Sequence, residues 1–156
     1  MKIDILTLFP SMFDGVFNES IIKRAIEEKK VEINLIDFRE YTNDPHHKVD
    51  DTPYGGGSGM VLSCQPIFDC VESLRDDDTT VIMMTPDGIP YKEKTAYELS
   101  KKKHIIIICG HYEGFDERIA SLAGKHQLGN AAWGASFPSE RALPEGGFGG
   151  VHTPSP

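Results

Sequence analysis

An α/β domain with a mainly parallel sheet and helices on both faces is the fold that this sequence predicts. Three observations carry that expectation. Two runs, "TTVIMMTP" and "HIIIICG", are apolar throughout, as strands covered on both faces must be. Segments of helical period alternate with segments of strand character along the chain. The length, 156 residues, suits one domain with a real core.

The elements follow in order. Lys2 to Leu8 reads as a first strand, closed by Pro10. Asp4 lies inside that short apolar run and no small-residue cleavage site follows it, so the segment is not read as a signal peptide. Ser11 is expected to cap a helix whose inward positions are Phe13, Val16, Phe17, Ile22, Ala25 and Ile26. Val31 to Phe38 alternates with period two and predicts a second strand. Arg39 to Met60 has no period and reads as loop. Gln65 to Leu74 predicts a short helix with Ile67, Val71 and Leu74 on one side, and Asp76 to Asp78 a solvated turn. After the third strand, "DGIP" is expected to turn the chain into a helix over Lys92 to Lys102, with Ala96 and Leu99 inward. "HIIIICG" is the fourth strand, and a further helix begins near Asp116 and finishes at Ala120 to Ala123.

Composition excludes some functions. No run approaches the roughly 18 apolar residues of a membrane span. Three cysteines without metal-like spacing argue against a disulfide framework and for a cytoplasmic location. Adjacent His46 and His47 are poorly spaced to chelate one ion, and no metal is expected. A net charge of −8 weighs against phosphate-driven binding of nucleic acid unless a local basic patch or a dimer groove supplies the field.

Ligands of open α/β sheets bind beyond the carboxyl ends of the strands. Two of those ends carry unusual chemistry: "TPDG" (Thr85 to Gly88) and "GHYEG" (Gly110 to Gly114). Gly110 and Gly114 permit close backbone approach, Tyr112 offers a flat face, and Glu113 can accept hydrogen bonds from ribose hydroxyls or an amine. A Rossmann site is excluded, because no G-x-G-x-x-G follows the first strand. The passage "VDDTPYGGGSGMV" sets Asp50, Asp51 and Tyr54 beside Gly55, Gly56, Gly57, Ser58 and Gly59. It reads as a lid, or as a backbone cradle for a phosphate or base, and no P-loop lysine follows it.

"LTLFPSMF", "DFREYT…HHKVDDTPYGGGSGMVL" and "IIIICGHYEGFDERI" together closely resemble the bacterial tRNA (guanine-N1)-methyltransferases, from Met1 to about Ile119. The resemblance implies a homodimer with a knotted, SPOUT-type methyltransferase fold. It implies transfer of a methyl group from S-adenosylmethionine to the tRNA guanosine immediately 3′ of the anticodon. It places Thr85, Pro86, Gly88, Gly110, Tyr112, Glu113 and Gly114 at the cofactor. It places Asp50, Asp51, Tyr54, Gly55, Gly56, Gly57 and Gly59 near the substrate guanosine and the dimer partner.

Beyond Ile119 the chain becomes rich in glycine and proline and poor in charge, and no strand or helix period is visible from Gly124 to Pro156. Residues 120–156 are therefore expected to form a divergent, poorly ordered tail. The resemblance ends there: the knot-threading segment, the catalytic aspartate, its arginine and the tRNA-binding domain of the family find no match. That implies an alternative, an inactive truncated or frameshifted fragment. A nucleotide-binding module without RNA substrate is a third reading.

Overall fold

Five parallel strands in the order β2-β1-β6-β5-β7 make the sheet of this computed structural model, which describes residues 1–53, 55–56, 59–111, 116–124 and 126–129. The strands are β1 (Lys2–Thr7), β2 (Glu32–Asp37), β5 (Thr79–Pro90), β6 (His104–Cys109) and β7 (Gln127–Gly129). A two-stranded antiparallel pair, β3 (Asp50–Asp51) and β4 (Val61–Leu62), stands apart from it.

The continuous apolar runs fold as buried parallel strands because helices cover both sides. Val81, Met83, Ile106 and Ile108 face one side, where they meet Ile67 and Val71 of α3 (Cys64–Leu74) and Ala123 of α5 (Ala120–Ala123). Ile82 and Ile105 face the other, against Leu99 of α4 (Glu93–Ser100) and Leu128 of β7. The predicted α/β class, the four strands and the helix carrying Ile67 and Val71 are all present.

Three local expectations are corrected. The first helix is broken into a 3-10 turn (Pro10–Phe13), α1 (Asp14–Phe17) and α2 (Ser20–Glu27), and Ser11 caps nothing. Asn18 ends α1 by donating its side-chain amide to the Asp14 carbonyl at 2.7 Å, and Ser20 restarts the helix with φ of 51°. Ile22, Ala25 and Ile26 are half-buried, whereas Val16 is exposed.

Secondly, "DGIP" does not turn the chain away from the sheet. Both Met84 and Ile89 pair with Leu128, so Thr85 to Gly88 bulge outward and β5 resumes to Pro90. The third correction is its cause: β7 follows Gly124, where no strand was expected. Most of the expected tail, residues 130–156, lies outside the described residues.

The amino ends of the strands are tied by polar contacts. Asp4 is 1% exposed and accepts hydrogen bonds from Asn34 Nδ2 at 2.8 Å and His104 Nε2 at 2.7 Å, with Lys2 Nζ at 3.2 Å. The other ring nitrogen of His104 meets Thr79 Oγ1 at 2.7 Å. One side-chain chain thus joins β2, β1, β6 and β5 at the end opposite the candidate site.

Candidate functional site

Register brings the two unusual strand ends together. Met84 and Cys109 are the last residues that β5 and β6 pair, so the bulge of β5 that begins at Thr85 starts beside Gly110, the first residue after β6. Adjacent strands lie roughly 4.8 Å apart, within the span of one small ligand. Thr85 and Gly88 are half-buried, and Pro86 and Gly110 are exposed. Tyr112, Glu113 and Gly114 lie outside the described residues, as do Tyr54 and Gly57.

The glycines here are required by backbone contact. A Cβ on Gly88 would sit 2.4 Å from the Leu128 carbonyl carbon, and one on Gly129 would sit 2.8 Å from the Gly88 carbonyl oxygen and 3.1 Å from that of Thr85. The strand β7 therefore fits against the bulge only because both positions lack a side chain. Gly129 was missed by sequence reasoning; "LGN" offers three residues, too few for any period.

The glycine loop is attached to the same rim. Asp50 and Asp51 pair with Leu62 and Val61, and the Leu62 carbonyl accepts from the Asp116 amide at 3.2 Å, just after the "GHYEG" turn. Gly55, Gly56 and Gly59 adopt φ of 89°, 80° and 102°, values that side chains resist. The loop reverses direction there. Through Leu62, the strand pair that carries Asp50 and Asp51 is thus tied to the backbone at Asp116.

The carboxylates of the rim differ in chemistry. Asp116 receives Arg118 Nε at 2.9 Å and Nη2 at 2.7 Å, and these bonds hold its carboxyl below the usual carboxylate range. A carboxylate so occupied is a weak proton acceptor. Asp51 is exposed and accepts from the Thr52 amide at 2.7 Å. Burial raises the Cys109 thiol above its ordinary range, so it is no ready nucleophile. No group of three or more metal-ligating side chains occurs among the described residues.

Phe9, at the carboxyl end of β1, was also missed. Its ring meets His111 edge-on, with centroids 4.9 Å apart, directly beside Gly110. Only its place after β1 could have pointed to it.

Comparison with known proteins decides the family. A sequence model described as tRNA (Guanine-1)-methyltransferase TrmD matches residues 1–130. The chain belongs to the tRNA (guanine-1)-methyltransferase family. The match continues eleven residues past Ile119, the point where the resemblance of motifs ended, and so takes in α5 and β7. Relatives named tRNA (guanine-N(1)-)-methyltransferase from Staphylococcus aureus strains JH9, Newman and N315 are each 58% identical over 120 residues, 76% of this chain. That stretch is 49% of each relative, so the chain spans about half the length of the methyltransferases that it matches. Among the described residues, no helix is long and apolar enough to cross a membrane.

Proposed function

We propose that this protein acts as a tRNA (guanine-N1)-methyltransferase, moving a methyl group from S-adenosylmethionine to N1 of the guanosine immediately 3′ of the anticodon. The observation that supports the reading is the register of β5 on β6, which sets the bulge beginning at Thr85 beside Gly110 in a chain of this family. S-adenosylmethionine, when bound, supplies an electrophilic methyl group on a sulfonium. Thr85, Pro86, Gly88 and Gly110, with Tyr112, Glu113 and Gly114, are the residues that would hold it.

Guanine N1 must lose its proton as the methyl arrives, and the aspartate that the family resemblance assigns to take it has no match in this sequence. Asp116 is ill-suited, because Arg118 occupies both of its oxygens. Asp50 and Asp51, on the loop tied to the Asp116 amide, are on the substrate side in this reading, with Tyr54 and the glycines Gly55, Gly56, Gly57 and Gly59. Their task is to position the guanosine, and orientation of two bound reactants lowers such barriers substantially. Cytoplasmic location, a homodimer and a knotted chain path belong to the same reading.

Titration calorimetry of the purified protein against S-adenosylmethionine, ATP and NAD tests the pocket, and transfer of a labelled methyl group to unmodified tRNA tests the reaction. Selective binding of S-adenosylmethionine with label appearing in 1-methylguanosine is expected. Preference for ATP or NAD, with no label in RNA, would overturn the reading.

A further inference from the structure

We propose that Phe9, flanked by His111 and Arg39, is a nucleobase-stacking contact for a single-stranded RNA loop at the mouth of the crevice, an inference that rests on the methyltransferase reading.

Phe9 is 39% exposed although the chain around it is pinned. Its amide donates to Thr7 Oγ1 at 3.1 Å, and its carbonyl accepts from the Met12 amide at 3.1 Å. Arg39 donates through Nη2 to the Leu8 carbonyl, and its Nε is held by Asp37 at 3.1 Å. These bonds fix the position of an aromatic ring that the core does not use. Leu8, the residue before it, is 3% exposed and closes the end of the main core, whereas Phe9 belongs to neither apolar cluster. A ring present only to seal the core would be buried where Leu8 is.

The surroundings of the ring suit RNA. Arg39 sets its guanidinium carbon 5.9 Å from the ring centroid, and His111 lies against the ring from the strand end next to Gly110. Flat rings and guanidinium planes are the groups on which unstacked bases of RNA loops settle. Asp37 and the Leu8 carbonyl engage two of the five guanidinium N–H groups, which leaves donors suited to a phosphate oxygen. The overall charge of −8 makes such a local aromatic and cationic rim more important, since no general field attracts the polyanion. Phe9 also adjoins the proposed methyl-transfer crevice, so a base stacked there belongs to the nucleotides flanking the target.

A fluorescein-labelled RNA stem-loop with a guanosine 3′ of its anticodon triplet tests this, using the full chain with S-adenosylmethionine present. Phe9→Leu is expected to weaken RNA binding about tenfold, the scale of one lost base–aromatic stack, and Phe9→Trp to restore it. Melting temperature and calorimetric affinity for S-adenosylmethionine are expected to match wild type in both variants. Wild-type RNA affinity in Phe9→Leu would overturn the stacking contact and leave the methyltransferase reading standing. An equal loss of S-adenosylmethionine affinity would also overturn it, by showing that Phe9 acts through the fold. A wild-type protein that binds S-adenosylmethionine but no RNA would overturn both inferences.

Discussion

Asp4 carries the most consequential single side chain outside the crevice. Burial pushes its carboxyl up, but hydrogen bonds from Asn34, His104 and Lys2 together outweigh that and keep it below its ordinary 3.8. Removing one member of a buried, hydrogen-bonded ionic group leaves its partners desolvated and unpaired. Asp4→Ala is therefore expected to cost about 3 kcal/mol, read from urea unfolding curves; under the proposed function it leaves S-adenosylmethionine affinity little changed, because the network lies at the amino ends of the strands. From the sequence, Asp4 was only a polar interruption of an apolar run. Its main partner is 100 residues away, and no local pattern could have supplied it. The thiols contrast with it: Cys70 is fully buried and burial pushes it up to about 12, which leaves it a packing residue.

Among the elements, β7 is the one on which the site depends most. It pairs with the outer edge of β5 and fixes the bulge of Thr85 to Gly88. Because a Cβ on Gly88 would sit 2.4 Å from backbone, the clash cannot be relieved by turning a side chain. Gly88→Val is expected to open the β5–β7 pairing. Hydrogen exchange should then show lost protection at Tyr91, whose amide donates to the Gly129 carbonyl at 3.2 Å, with β1 and β6 unchanged. Retained protection at Tyr91 would mean that the strand tolerates the side chain. "TPDG" read as a strand end, whereas Gly88 sits in a bulge inside β5, against the β7 backbone that demands it. The opposite error occurred in the first helix, where continuous periodicity hid the break between Phe17 and Ser20. A side chain bonding to backbone ended that helix, a choice that periodicity does not register.

At the scale of the whole molecule, carboxylates set the response to acid. Asp4, Asp44, Asp76 and Asp116 are all held below 3.8 in the folded chain, by side-chain or backbone hydrogen bonds. Groups depressed on folding contribute stability that is fully present above the unfolded value and is lost as pH falls through the folded values. The melting temperature is expected to vary little from these groups above about pH 5 and to fall steeply below it. Added salt should weaken the exposed contributions of Asp44 and Asp76 more than that of Asp4. Thermal melts across an acid series at two ionic strengths check both statements. A protein equally stable at pH 3 and pH 7 would contradict the first.

Local sequence determined the class of this protein, because burial on both faces demands unbroken apolar strands, and glycine marks where backbone can approach backbone closely. "HIIIICGH" and "TTVIMMTPDG" carried that information without any partner in view. Only the tertiary structure decided that these two ends are neighbours, that β7 lies beyond them against Gly88, and that Asp4 meets His104. The physical reason is that a residue's period reports which side it buries, whereas which strand comes next is settled by packing across the whole chain.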